Sequence, residues 1–139
     1  MKSKKRVLIL IGLIMIVFTS LLAKNYNNIF YRGPFISVKD AEKRWGRTDF
    51  DAEKWRKANI SDRAKMASSI IISKKNFIGK TNLEIKEIFG PHDSYYVNDP
   101  IPAYTIQSNT TSGGERWDLV FLIDQNNKVF DIKIHRQYP

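Results

Sequence analysis

The chain has 139 residues, of which 23 are Lys or Arg and 14 are Asp or Glu, so its formal net charge is +9. This length fits one domain, and an apolar content of 42% excludes an intrinsically disordered chain. The seven glycines and five prolines are too few for a collagen-like or low-complexity protein. Because the chain has no cysteine, a disulfide scaffold, a thiolate zinc site and a lipidated N-terminal cysteine are excluded.

The N-terminus predicts a membrane segment. Residues 1–6 (MKSKKR) carry four positive charges, and residues 7–23 follow without a charge. A spanning helix needs roughly 17–25 apolar residues, whereas the apolar part of a signal peptide has roughly 7–15. Large side chains, Leu21 or Phe18, stand where a cleavage site requires a small one. The pattern favours an uncleaved anchor, and a cleaved signal peptide is the open alternative.

The basic residues before the apolar segment predict the topology. Such residues stay on the cytoplasmic side, so the rest of the chain is expected to face outward from the cell membrane, or to be secreted or periplasmic after cleavage. Without these four charges, 19 basic and 14 acidic residues remain, which is ordinary for a globular domain. The predicted organisation is an anchor or signal peptide at 1–23, a linker at 24–36 and an extracytoplasmic domain at 37–139.

Helical signals dominate the first half of the predicted domain. Ser37 is expected to cap a short helix that ends at Gly46, because serine hydroxyls accept hydrogen bonds from a helix start and glycine suits a helix end. A second turn or short helix falls within residues 48–57 and carries Phe50 and Trp55 as apolar anchors.

A longer helix is predicted over residues 61–72, where apolar residues recur at helical spacing. The next helix has the clearest signals. Thr81 and Glu84 have the spacing of a capping box, in which each side chain binds a free amide of the helix start. Gly90 and Pro91 end this helix, because glycine adopts the left-handed conformation and proline cannot continue a helix. The six residues of this structural motif are Gly79, Lys80, Thr81, Glu84, Gly90 and Pro91.

The chain after Pro91 predicts β structure. Apolar and polar residues alternate in the last two predicted strands, which is typical of antiparallel strands with one buried face. The predicted fold is therefore α+β, with two to three short helices packed on a three- to four-stranded antiparallel sheet. The predicted strands are 94–97, 103–107, 116–124 and 128–135.

Residues that could carry chemistry are few. His92 and His135 belong to no metal-binding pattern, so neither a metal nor a cofactor is predicted. The Gly-Lys-Thr sequence at 79–81 resembles the end of a P-loop, but that motif requires a glycine where this chain has Lys74. No catalytic residue is therefore predicted, and the chain is not expected to be an enzyme.

Basic residues between positions 44 and 65 alternate with Trp45 and Trp55, a pattern that can bind nucleic acid. Neighbouring acids neutralise most of this charge, and export removes the usual partner, so no nucleic-acid binding is predicted. A protein partner is expected instead, on the polar face of the sheet and on the loops at 98–102 and 108–115. The candidate residues on that face are Asp118, Asp131, Lys133 and His135.

The order of residues from Arg63 onward resembles a known family. The matching residues are Arg63, Met66, Ile78, Gly79, Lys80, Thr81, Glu84, Ile85, Phe89, Gly90, Pro91, Tyr104, Leu119, Phe121, Asp124, Lys128 and Val129. Over roughly the last 80 residues, the chain resembles the SmpA/OmlA family of small envelope proteins. This resemblance implies a fold like that of the β-lactamase inhibitor protein, with two helices packed on an antiparallel sheet.

The family also suggests a function. Its best-known members look like accessory lipoproteins of the outer-membrane β-barrel assembly machine, and other proteins of this fold bind and inhibit partner proteins. This chain lacks the lipobox cysteine, so residues 7–23 would anchor it instead. The prediction is a membrane-tethered, non-enzymatic, extracytoplasmic protein-binding module of the cell envelope. The alternative is an immunity or inhibitor protein that blocks a toxin or enzyme.

Overall fold

The computed structural model describes residues 11–20, 34–97, 100–109 and 114–137. The chain divides into two compact units, Met1–Arg32 and Gly33–Pro139. In the first unit, residues 11–20 are helical and exposed. No helix within the described ranges is both long and apolar enough to cross a membrane. The other residues of the predicted 7–23 segment lie outside these ranges.

The second unit is an α+β domain, as predicted. Its helix count exceeds the predicted two to three, because Asp51 caps residues 52–57 as a separate helix by accepting the Lys54 N–H at 2.8 Å. A short 3₁₀ turn, Lys74–Asn76, follows the longest helix. The α-helices are α1 (Val38–Trp45), α2 (Ala52–Lys57), α3 (Ile60–Ile72) and α4 (Asn82–Phe89). The strands are β1 (Phe35–Ile36), β2 (Ala103–Ser108), β3 (Arg116–Ile123) and β4 (Val129–Gln137).

The capping box predicted for α4 is confirmed. The Thr81 hydroxyl accepts the Glu84 N–H at 3.3 Å, and the Glu84 carboxylate accepts the Thr81 N–H at 2.7 Å. The hydrogen bond from the Thr81 backbone lowers the pKa of Glu84. Gly90 ends the helix at a φ of +86°, which glycine tolerates best, and Pro91 follows it. Gly79 and Lys80 hydrogen-bond to the backbone of Val129, which joins the start of α4 to β4.

The sheet has four antiparallel strands in the order β1-β4-β3-β2. Its first strand consists of Phe35 and Ile36, which the sequence analysis assigns to the linker; they pair with His135 and Ile134. The strand predicted at 94–97 is wrong, because this segment is irregular. The Ser94 N–H does bind the Ala103 carbonyl, but the neighbouring β2 amide of Thr105 binds the Asp93 side chain instead of a strand backbone.

The main core lies between the helices and one face of the sheet, which we call the helix face. Its centre is a cluster of aromatic rings from helices and strands. The Phe89 ring lies 4.8 Å from that of Phe121 and 5.3 Å from that of Trp55, measured between centroids. The aromatic side chains of this cluster are Phe50, Trp55, Phe77, Phe89, Tyr104 and Phe121. They fasten α2 and α4 to β2 and β3.

Candidate functional site

The four predicted partner residues share the other face of the sheet, which we call the second face. Strand register confirms the placement, since Asp118 pairs with His135 and the positions of Asp131 and Lys133 alternate with the core residues of β4. The prediction that this face is open to solvent is wrong for Asp118, whose exposed fraction is 0%. Asp131, Lys133 and His135 are partly exposed.

The segment that follows α4 explains this burial, because it lies across the second face. Arg116 donates to the Ser94 hydroxyl at 2.8 Å and to the Thr105 hydroxyl at 2.9 Å. The Tyr96 ring is buried, and its centroid lies 4.6 Å from that of His135. An irregular segment therefore covers strand positions that the alternation of apolar and polar residues predicts to be exposed to solvent.

The carboxylate of Asp118 and the imidazole of His135 belong to paired positions on the second face. One oxygen of Asp118 accepts a hydrogen bond from Arg116 Nε at 3.3 Å. The other oxygen of Asp118 and Nδ1 of the opposite His135 have no hydrogen-bond partner within the described ranges. Burial lowers the pKa of His135, and the negative charge of Asp118 opposes this shift only in part. The pair is enclosed between strands, and neither cleft described below is lined by a histidine.

Asp131 and Lys133 are engaged within the domain rather than free for a partner. Asp131 accepts hydrogen bonds from Lys74 Nζ at 2.7 Å and from the Ile132 N–H at 2.9 Å, and Lys133 Nζ lies 3.1 Å from its carboxylate. Burial acts to raise the pKa of Asp131, but these hydrogen bonds outweigh it, so the pKa is lowered. The carboxylate thus satisfies a backbone N–H at the edge of β4.

The outer sides of the long strands β4 and β2 are covered in part by the chain itself. On the outer side of β4, β1 pairs with residues 134–135, and Asp131 binds the amide of Ile132 between β1 and the start of the strand. On the outer side of β2, residues 93–94 bind the Ala103 carbonyl and the Thr105 amide. Unpaired edges invite another strand, so these contacts disfavour edge-to-edge pairing.

A different group of side chains forms a surface at one end of the helix face. We call it the Trp–Arg cluster, and its members are Arg44, Trp45, Gln107, Glu115, Trp117 and Arg136. The Trp45 and Trp117 rings meet edge to face, with centroids 5.7 Å apart. The Arg44 guanidinium lies 5.5 Å from the Trp45 centroid and 5.3 Å from that of Trp117, within cation–π range.

Polar contacts fix the geometry of the Trp–Arg cluster. Gln107 Oε1 accepts from Trp45 Nε1 at 2.8 Å. Glu115 forms ion pairs with Arg44 and, at 2.6 Å, with Arg136, and it accepts from Trp117 Nε1 at 3.3 Å. The hydrogen bond from Trp117, followed by that from Arg44, lowers the pKa of Glu115. The side chains of Arg44, Glu115 and Arg136 remain about one third exposed, at 38%, 31% and 34%.

The cluster lies at the base of the predicted 108–115 loop, of which residues 110–113 lie outside the described ranges. In the sequence, Arg44 and Trp45 stand out only as part of the basic and aromatic pattern that can bind nucleic acid, together with Trp55. The structure separates the two tryptophans, because Trp55 is fully buried in the core while Trp45 is half-buried in the cluster. No short-range pattern indicates this cluster, since the contacts of Arg44 with Glu115 and of Trp45 with Gln107 join residues more than 60 positions apart.

The other predicted contact loop, 98–102, is only partly available. Residues 98–99 lie outside the described ranges, and Ile101 and Pro102 are buried, which corrects their assignment to a contact surface. The exposed apolar side chains are those of Tyr95 and Val97, just before the loop. Val97 has a φ of +62°, which is strained for a β-branched residue.

Within the described ranges, no three His, Asp or Glu side chains converge in a way that could hold a metal ion. Comparisons of the chain with models of protein families, with curated proteins and with solved structures find no match. The resemblance to the SmpA/OmlA family therefore rests on the residues quoted above.

Proposed function

We propose that this chain is a membrane-tethered, non-enzymatic, extracytoplasmic module that binds a protein partner of the cell envelope. The observation that carries this proposal is the Trp–Arg cluster beside the 108–115 loop. Tryptophan and arginine are the residue types most enriched among those that dominate binding energy at protein interfaces. Here they occur in a fixed, partly exposed group.

Preorganisation is the physical reason why this cluster suits binding. The hydrogen bond from Trp45 to Gln107 and the ion pairs of Glu115 hold the rings and guanidinium groups in place before a partner arrives. Binding of a partner therefore restricts few further side-chain rotations in the cluster, which lowers the entropic cost of association. The two guanidinium groups outnumber the one carboxylate, so the surface favours a partner with a carboxylate or an apolar anchor.

The partly covered outer sides of β4 and β2 favour a partner that docks through side chains over one that adds a strand. A partner that added a strand would have to displace β1 from β4 or residues 93–94 from β2. The Trp–Arg cluster needs no such displacement, because its charged groups and the half-buried Trp45 ring already reach the surface, while Trp117 packs beneath them. We therefore propose that the interface lies at this end of the helix face and not on the second face.

The tether is proposed from the sequence. Residues 1–6 are strongly basic and residues 7–23 are uncharged, which together favour an anchor with a cytoplasmic N-terminus. The helical conformation of residues 11–20 supports this proposal. A fusion of alkaline phosphatase to the C-terminus tests it, because the enzyme is active only outside the cytoplasm. An inactive fusion contradicts the topology, and a mature N-terminus near residue 24 replaces the anchor with a cleaved signal peptide.

Site-directed photo-crosslinking tests the interface in the intact cell. A photoreactive residue at Lys43 in α1, beside Arg44, is expected to capture a protein partner, whereas one at Leu83 in α4 is not. Both positions are exposed, so accessibility is matched. Arg44→Glu should abolish the capture at Lys43, and Lys39→Glu on the same helix should preserve it. Equal capture at both positions, or no effect of Arg44→Glu, would contradict the interface.

The same experiment separates the two candidate functions. Recovery of envelope assembly proteins supports the binding module. Stoichiometric capture of one hydrolase or toxin, with loss of its activity, supports the immunity or inhibitor function instead. The resemblance to the SmpA/OmlA family and to proteins of the β-lactamase-inhibitor-protein fold suggests both outcomes, and both use the Trp–Arg cluster as the contact surface.

A further inference from the structure

A cleft beside the core aromatic cluster shares no lining residue with the Trp–Arg cluster. It has a volume of about 550 Å³ and opens between the loop after α1, the end of α3 and α4. This volume falls within the roughly 300–1,000 Å³ of small-molecule sites in proteins. We call it the α3–α4 cleft.

The floor of the α3–α4 cleft is apolar. Phe50 and Phe77 contribute rings of the aromatic cluster, with centroids 5.7 Å apart, and Ile88 joins them from α4. Ile72 lines the cleft from the end of α3, yet it is 51% exposed. An occupant of the cleft could cover this isoleucine and remove apolar surface from water, which is favourable.

Two cations line the same cleft. Arg47 forms only a long contact of 3.3 Å with Glu42 and is half exposed. Lys80 Nζ makes no hydrogen bond to any part of the chain that the structure describes, and the nearest acid it influences, Glu84, is occupied in the capping box. Asp49 is the one carboxylate among the lining residues, so the lining carries a net positive charge.

A second cleft, of about 420 Å³, shows why this charge is informative. It is lined by three lysines, of which Lys57 is paired with Glu53 at 2.6 Å and Lys65 with Asp62 at 2.9 Å, whereas Lys54 forms no ion pair within the described ranges. Two of its three lysine charges are therefore neutralised within the domain, and no aromatic ring lines it. The α3–α4 cleft combines an apolar floor with a lysine that has no such partner, and this combination favours an amphiphilic anion.

We propose that the α3–α4 cleft binds a small organic acid, in which an alkyl or aryl group rests on Phe50, Phe77 and Ile72 and a carboxylate meets Lys80 and Arg47. The apolar group supplies most of the affinity through burial. The carboxylate supplies orientation and a modest further gain, because both cations are partly exposed. Serine hydroxyls at 69 and 73 donate to helix carbonyls, which leaves their oxygen atoms as acceptors only.

Amide chemical shifts of the full chain in a neutral detergent, titrated with 4-phenylbutyrate, test this proposal. Saturable shifts are expected around Ser73, Phe77 and Lys80, after subtraction of the detergent blank. The matched neutral compound, 4-phenylbutanamide, should bind roughly two- to five-fold more weakly, since it loses an exposed ionic contact. Lys80→Gln should weaken the acid by a similar factor and leave the amide unchanged.

Lys75→Gln is the control, because Lys75 is exposed in the adjacent 3₁₀ turn and does not line the cleft. Equal affinity for acid and amide, shifts centred on the lysine-lined cleft, or no saturable binding would overturn the proposal. An N-acetylated tripeptide that ends in Phe serves as the competing occupant. If it binds tenfold more tightly than 4-phenylbutyrate, the cleft is a peptide site and the small-molecule assignment is wrong. Every one of these outcomes is separate from the photo-crosslinking result.

Discussion

The two faces of the sheet are both buried, but by different means. The helix face is covered by α-helices, and its centre is a set of interlocking aromatic rings around Phe89 and Phe121. The second face is covered by an irregular segment, and beside the buried apolar side chains of Val120 and Leu122 it carries the polar groups of Asp118, Arg116 and His135. One sheet thus supports an apolar layer and a layer in which apolar side chains are combined with hydrogen bonds and charges.

This difference indicates what each layer contributes. The helix face removes large rings from water and fills space tightly, so its contribution to stability depends on volume and shape. The second face buries groups that need partners, so its contribution depends on whether each donor and acceptor is satisfied. The following substitutions are expected to separate the two contributions.

The largest effect is expected on the helix face. Phe89→Ala should lower the free energy of unfolding by about 3–5 kcal/mol, because it leaves a cavity among five other aromatic rings. Equilibrium unfolding in urea measures this loss. Leu83→Ala on the same helix is the control, and it should change stability by less than about 0.5 kcal/mol because Leu83 is 69% exposed. Similar losses for both variants would show that α4 does not anchor the core.

A smaller loss in the free energy of unfolding is expected when the Tyr96 ring, which covers the second face, is removed. Tyr96→Ala should cost about 2–4 kcal/mol, because it removes a buried ring in contact with His135. It should also raise the pKa of His135 toward its ordinary value, since burial is the main cause that lowers it. Urea unfolding and an NMR titration of the His135 ring measure the two effects. Tyr95→Ala, at an exposed neighbouring position, should leave the His135 titration unchanged.

Substitutions of Asp118 test whether the stability supplied by the second face depends on hydrogen-bonded polar groups. Asp118→Ala should cost about 1–3 kcal/mol, because it removes the fully buried carboxylate that accepts from Arg116 Nε. Asp118→Asn keeps the size and one acceptor but removes a buried charge whose second oxygen lacks a partner in the described ranges, so its cost should be smaller. Both are measured by urea unfolding. A larger loss for Asn than for Ala would contradict this account of the layer.

The smallest effect is a dependence of stability on pH. Because the pKa of His135 is lowered in the folded state, the unfolded chain binds its proton first as the pH falls. The free energy of unfolding should be constant above about pH 7.5 and decrease as the pH falls through about 6.5, the ordinary pKa of histidine. His135→Phe keeps a ring between Phe35 and Tyr96 and should remove this slope. His92→Asn, in the loop after α4, should retain it.

Local signals predict much of this fold. Thr81, Glu84 and Gly90 act on backbone groups within a few positions, so their helix could be located from the sequence. Alternation in β3 and β4 likewise predicts the helix face correctly. The same alternation predicts a solvent-exposed second face, which is wrong at Asp118, because burial there depends on where residues 93–97 run. A two-residue strand such as β1 carries too little pattern to be recognised.

The candidate site was less predictable than the fold. The loop at 108–115 could be proposed because polar loops on rigid sheets often carry recognition. The Trp–Arg cluster could not, because Arg44 and Glu115 are brought together only when the end of α1 packs beside the start of β3. The acids of α1 offset most of its cations when counted along the chain, and only the three-dimensional arrangement shows that Arg44 pairs with Glu115.

The pairing of β1 with β4 has a consequence for the order in which the domain can form. Phe35 stands at the beginning of the domain and meets His135, about a hundred residues later in synthesis. A chain that emerges from the ribosome or from a translocation channel N-terminus first therefore leaves the outer edge of its sheet incomplete until the last strand arrives. Pairing between the two ends of the domain can thus form only after residues 134–135 have emerged, and a product truncated before them would lack the partner of β1.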